Sequence, residues 1–120
     1  MTAITANTTE SPTAQPVIRS LEGKYYTSPA IFAAEQAGVL MRTWQFAGHA
    51  SALEKSGDYF AFEMSGERLF CLRDKDGEIR TFYNVCQHRA HELVSGSGNA
   101  SVVVCPYHSW TYALNGQLRA

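Results

Sequence analysis

The rhythm of hydrophobic and polar positions changes at Trp44. Before it, the stretch AIFAAEQAGVLMRTW places Ile31, Phe32, Glu35, Val39 and Leu40 at roughly helical spacing. Ser28 and Pro29 offer an N-cap followed by proline in the first turn, where its missing N–H costs nothing. Gly38 weakens the far end. The pattern predicts a helix over 29–41 with its apolar side packed. After Trp44 come short runs rich in aromatic and β-branched residues: WQFAGH (44–49), YFAFEM (59–64), RLFCLR (68–73), IRTFYN (79–84), SVVVC (101–105) and WTYAL (110–114). Turn chemistry separates them at Ser56-Gly57-Asp58, Ser65-Gly66, Asp76-Gly77 and Asn115-Gly116. Asp-Gly and Asn-Gly favour two-residue hairpin turns, in which both central positions take positive φ. The predicted fold is mainly β: a small antiparallel β sandwich or barrel, preceded by one N-terminal helix and carrying two loops at 86–91 and 105–110.

Ahead of the helix, MTAITANTTESPTAQPVIRS is rich in Thr, Ala and Pro and has no apolar block. A signal peptide needs a charged start and an apolar core, and a transit peptide needs several arginines, whereas Arg19 is the lone basic residue here. Residues 1–24 are expected to be a flexible tail, 25–43 a helical segment, and 44–120 the β domain. At the other end, LNGQLRA opens a hairpin at Asn115-Gly116 and stops four residues into the return strand. The chain is therefore expected to be the front part of a longer polypeptide.

Composition narrows the function classes. The 120 residues suit one small domain, and 45% hydrophobic residues can build a modest core. A formal net charge of −1 gives no basic surface for nucleic acid or an anionic membrane. No run approaches the ~18 apolar residues that span a bilayer. Three cysteines are an odd count, against a secreted disulfide framework. A reducing compartment, a bacterial-type cytoplasm, is expected. Cys71, inside RLFCLR, reads as a buried strand thiol.

The chemistry concentrates in CQHRAHELVSGSGNASVVVCPYHSW. Two of the three cysteines and three of the four histidines fall within 86–108. Cys86 and His88 are one residue apart, Cys105 and His108 two, with sixteen residues between the pairs. Thiolate and imidazole are the usual ligands of zinc, copper and iron–sulfur centres. Structural zinc usually draws on knuckles with two to four residues between ligands, and a gap of one residue is tight for that. A binuclear iron centre accommodates the mixture, because each loop can give its cysteine to one iron and its histidine to the other. His91 is surplus to a four-ligand count and is read as non-ligating. His49 is read as a structural histidine in a strand far from the motif. Ser109 could hydrogen-bond toward the centre, Trp110 could cover it, and Pro106 and Tyr107 could give a rigid turn and an apolar lid.

The motif C-x-H, sixteen residues, C-x-x-H resembles that of Rieske proteins. From Tyr25 to Ala120 the chain also resembles the N-terminal part of the large (α) subunit of Rieske non-haem iron oxygenases. The residues that carry this are the helix leading into Trp44-Gln45-Phe46-Ala47-Gly48-His49, then Arg73-Asp74 with Asp76-Gly77-Glu78, Tyr83 to Arg89, and Cys105 to Tyr112. The resemblance implies that Cys86, His88, Cys105 and His108 ligate a [2Fe-2S] cluster. It further implies an electron-transfer role, in which a reductase or ferredoxin, fed by NAD(P)H, supplies electrons that pass to a mononuclear Fe(II) activating O₂. That iron sits in a catalytic domain the chain does not encode, so this chain alone is expected to turn over no substrate. The intact oxygenase is implied to be a homotrimer. High-potential respiratory Rieske proteins carry an extra disulfide-bonded cysteine in each ligand loop. Here those positions are His91 and Tyr107, which implies a low reduction potential. The phrase CQHRAHELV resembles the branch that demethylates or hydroxylates quaternary ammonium compounds more than the aromatic-ring dioxygenases. A free-standing Rieske ferredoxin and a structural zinc module remain the alternatives.

Overall fold

The computed structural model describes residues 19–120. The tail expected over 1–24 lies mostly outside the described residues. A single helical turn, α1 (Lys24–Thr27), leads into α2 (Pro29–Gly38), with Pro29 in the first turn and Ser28 at the N-cap. Ser28 caps by position alone, because its side chain makes no cap bond. The helix stops at Gly38, sooner than the spacing predicts, and the chain tightens into a 3-10 turn at Leu40–Arg42. No residue of α1, α2 or this turn is buried. The packed apolar side expected of the helix is instead open, with Phe32 53% exposed.

The extended run WQFAGH forms no strand. Trp44 and Phe46 project into solvent, and a strand exists only where a neighbour takes its backbone hydrogen bonds. His49 accordingly lies outside any strand. It caps the 3-10 turn Ala50–Leu53, its Nδ1 accepting from the backbone N–H of Ser51 at 3.2 Å.

The β domain has two antiparallel sheets. The larger runs in the order β3-β2-β1-β4, from β1 (Asp58–Met64), β2 (Glu67–Arg73), β3 (Ile79–Tyr83) and β4 (Ser97–Asn99). The smaller pairs β5 (Val103–Val104) with β6 (Thr111–Tyr112), and Leu118 bridges to Tyr112. The predicted antiparallel β sandwich is therefore present. β4 falls in a Ser-Gly-Asn stretch with poor strand propensity. It pairs with the edge of β1, Asp58 opposite Asn99, and Asn99 Nδ2 secures the register by donating to Asp58 Oδ1 at 2.8 Å.

One of the predicted hairpin turns has positive φ at both central residues, Ser65 (52°) and Gly66 (84°). The Asp-Gly and Asn-Gly turns are instead longer, with positive φ at Gly77 and Gly116 but not at the residue before. In each, two backbone bonds close a type I turn followed by a left-handed glycine: Asp74 N–H to Glu78 O at 2.9 Å and Gly77 N–H to Asp74 O at 3.3 Å, then Ala113 N–H to Gln117 O at 2.8 Å and Gly116 N–H to Ala113 O at 2.9 Å. Asp74 holds the first of these turns from inside. Its Oδ1 accepts from the N–H groups of Asp76 and Glu78, and its Oδ2 pairs with Arg80 Nε at 2.5 Å. That guanidinium keeps the carboxyl below its usual range despite burial.

Between the sheets lie Phe70, Leu72, Val103, Tyr112 and Leu114, and the same cluster includes Cys86 and Cys105. The core thus runs directly into the base of loops 86–91 and 105–110.

Candidate metal centre

Loop 86–91 leaves the end of β3, and loop 105–110 joins β5 to β6. They share one backbone design. In the first, Cys86 N–H donates to His91 O at 2.7 Å and Ala90 N–H to Cys86 O at 2.8 Å. In the second, Cys105 N–H donates to Trp110 O at 2.8 Å and Ser109 N–H to Cys105 O at 2.9 Å. Each loop bends through a left-handed residue in the corresponding place, Ala90 (φ 55°) and Ser109 (φ 60°). The two cysteines therefore occupy equivalent positions at the loop bases.

Burial separates the donors by type. Cys86 and Cys105 are each 2% exposed, while His88 and His108 lie at the surface. The imidazoles sit side by side, ring centroids 4.8 Å apart and edge to face. The cysteines are free thiols. Among the described residues no three Cys, His, Asp or Glu side chains converge as the ligands of one ion do. What the structure holds is two pairs: thiols inside, imidazoles outside. That division fits a [2Fe-2S] group with two sulfur ligands on one iron and two nitrogen ligands on the other.

The sulfur side is prepared for thiolate. Burial pushes the Cys86 thiol up, but the Tyr112 hydroxyl, the His88 and Arg89 backbone N–H groups and the Cys105 thiol outweigh it, and the net shift is downward. Tyr112 OH lies 3.3 Å from Cys86 Sγ and accepts from the Gln87 N–H at 3.1 Å. Burial and the neighbouring Cys86 push the phenol up, so it keeps its proton and donates toward the sulfur.

On the nitrogen side, aromatic rings do the packing. Trp110 stacks on His88 with centroids 4.9 Å apart and planes 9° from parallel. Tyr107 lies 3.8 Å from the His108 centroid and 5.5 Å from that of His91. The two positions compared above with a disulfide thus meet as an aromatic contact. His91 donates from Nδ1 to Glu92 O at 2.7 Å.

Asn84, 3% exposed, anchors the return of the first loop. Its Oδ1 accepts from Leu93 and Val94 N–H, each at 3.0 Å, and its Nδ2 donates to Val94 O at 2.7 Å and Glu92 Oε1 at 3.1 Å. Sequence reasoning assigned no role to Asn84 or Tyr112. A polar Asn at a strand end, just ahead of a candidate ligand, was the available signal for the first. The remaining candidates separate cleanly. Cys71 is buried in β2 with its thiol 3.0 Å from Thr81 Oγ1. His49 caps its 3-10 turn. Ser109 is exposed, and its backbone carbonyl accepts from Thr111 Oγ1.

Comparison with known proteins agrees with this geometry. Residues 43–120 match the Rieske [2Fe-2S] domain, and the chain belongs to that family, whose domain carries a [2Fe-2S] cluster. It is 44% identical over 95 residues to the carnitine monooxygenase oxygenase subunit of Acinetobacter baumannii, covering 78% of this chain and 26% of that protein. It is 39% identical over 94 residues to the chloroplastic choline monooxygenase of Atriplex hortensis, covering 78% and 22%. In structure it superposes on the quaternary ammonium Rieske monooxygenase CntA, solved with L-carnitine, with a TM-score of 0.78 and 43% identity over 81% of this chain and 28% of that one. The chain thus spans about a quarter of the length of the curated relatives it matches.

Proposed function

We propose that the chain is the electron-transfer portion of a Rieske-type oxygenase, and that Cys86 and Cys105 hold one iron while His88 and His108 hold the other. The observation that carries this is the pairing of two buried thiols and two surface imidazoles on loops of matching backbone design. When bound, a [2Fe-2S] group supplies one-electron chemistry.

The chain's own residues set the conditions for it. The core around Cys86 and Cys105, each 2% exposed, keeps water off the sulfur side. Tyr112 OH holds its proton toward Cys86 Sγ and lowers the electron density there. His88 and His108 each have a second ring nitrogen beyond the one a metal would take. Their exposure places the imidazole edges where an electron partner can approach.

The donor is a reductase or ferredoxin drawing on NAD(P)H, and the acceptor is a mononuclear iron in the part of the oxygenase beyond this chain. A trimeric, cytoplasmic assembly is part of the same proposal. Among the described residues no helix is long and apolar enough to cross a membrane. The substrate class is quaternary ammonium compounds. Support comes from the names of the carnitine and choline monooxygenases, which the chain resembles at 44% and 39% identity.

The test is a single turnover. The 120-residue chain, loaded with its cluster, is reduced by a flavin-dependent reductase and NADPH, then given O₂ with carnitine, glycine betaine or an aromatic acid. Bleaching of the visible spectrum on reduction, slow recovery in O₂ and no oxygenated product are expected. Product formed by the chain alone would overturn the division of labour, and failure to accept electrons would overturn the electron-transfer role.

A further inference from the structure

The four histidine rings of this chain are held by different means. His49 and His91 are each fixed by a hydrogen bond at Nδ1. The His88 ring is held by aromatic contact, edge to face with His108 and stacked on Trp110. Trp110 belongs to the opposite loop, and its backbone carbonyl closes that loop on Cys105. Its indole is half-buried against the core and borders a groove of ~540 Å³ that also touches Leu93, Gln87 and Tyr112. The side chain therefore does two things at once. It stacks on a ring from the other loop, and it lines an open groove.

We infer that Trp110 is a positioning residue for His88, fixing the imidazole plane by stacking and holding the reduction potential down. This rests on the reading that His88 is a cluster ligand. The sign follows from two effects that act together. An electron-rich indole face stabilises an imidazole more when its iron is the more positive, which favours the oxidised state. Reduction adds one negative charge, so admitting water from the groove favours the reduced state. Loss of the indole removes the first effect and introduces the second. Both raise the potential.

The experiment uses the full cluster-loaded chain with Trp110→Leu, Trp110→Phe and, as a control in the same core, Leu93→Ala. Iron and acid-labile sulfide are measured first, followed by the electron paramagnetic resonance g values and the midpoint potential. Trp110→Leu is expected to shift the g values and to raise the equilibrium constant for reduction by about twofold to tenfold, the scale of one stacked aromatic pair. Tenfold corresponds to about 59 mV for a one-electron couple. Trp110→Phe, which keeps a flat ring, is expected to shift in the same direction by less, and Leu93→Ala to leave the g values in place. Unchanged g values and potential in Trp110→Leu would overturn the inference, and so would an equal shift in Leu93→Ala. Should Trp110→Leu lose its cluster, the Phe variant decides: a positive shift supports the inference, and no shift or a negative one overturns it. Failure of the underlying ligand assignment looks different, because the unaltered chain would then show no nitrogen coupling from histidine.

Discussion

Loops 86–91 and 105–110 are alike in backbone and unlike in what holds them. Both close a cysteine N–H onto a carbonyl five residues on, and both turn through a left-handed residue, Ala90 or Ser109. Beyond that they diverge. Loop 86–91 is tied down by polar groups, with Asn84 making four hydrogen bonds to its return segment and Tyr112 reaching in to Gln87 and Cys86. Loop 105–110 is instead a source of aromatic side chains, and its Tyr107 and Trp110 lean across onto His91 and His88. The lesson is that shared backbone geometry places the cysteines alike, while the histidines of the first loop depend on aromatic side chains borrowed from the second.

Replacing either cysteine by serine should break both loops equally and have the largest effect of all. Cluster binding should be abolished, and thermal unfolding should lose most of its cooperativity, because a domain this small leans on its metal. Iron analysis and a melting curve check it. A variant at one cysteine that kept full iron content would show that the two positions are not equivalent.

Asn84→Ala should next expose the asymmetry. It strips the Leu93 and Val94 N–H groups of their partner; two fully buried orphans would cost about 2–6 kcal/mol, and because these residues are only half-buried the cost should be about 2–4 kcal/mol. Urea denaturation reads that loss, and release of iron to a chelator should quicken in step. Stability within ~0.5 kcal/mol of the parent would mean that the first loop is not held by this side chain.

These two cases also show where the sequence was readable. YFAFEM, RLFCLR and IRTFYN became β1, β2 and β3 because alternating apolar residues between turns are local signals. The spacing of Cys86, His88, Cys105 and His108 is a local signal too, and it pointed to two loops that the fold brings side by side. WQFAGH looked equally strand-like yet forms no strand among the described residues, and Ser97–Asn99 looked like loop yet pairs with β1. Pairing is a property of the neighbour, and no window of sequence contains it. Tyr112 was unreadable for the same reason, since its hydroxyl meets a thiol 26 residues earlier in the chain.

A subtler change is Tyr112→Phe. Removing a donor aimed at Cys86 Sγ should lower the midpoint potential by about 40 mV, the equivalent of one hydrogen bond of ~1 kcal/mol in a one-electron couple. Protein-film voltammetry measures it. An unchanged or raised potential would remove Tyr112 from the account of the sulfur side.

The smallest effects should come from Ala90→Gly and Ser109→Gly. Each relieves a left-handed residue and should stabilise the protein by less than ~1 kcal/mol. If the loops share one design the two gains should match. A loss of stability at one position alone would show that its side chain does something that its partner's does not.

The assignment of two cysteines to one iron and two histidines to the other is tested most directly by Mössbauer spectroscopy on the ⁵⁷Fe-loaded chain. Two inequivalent irons in equal amounts are predicted, one in an all-sulfur environment and the other with nitrogen ligands. A single quadrupole doublet from two identical irons, or a colourless protein that takes up one zinc, would contradict it.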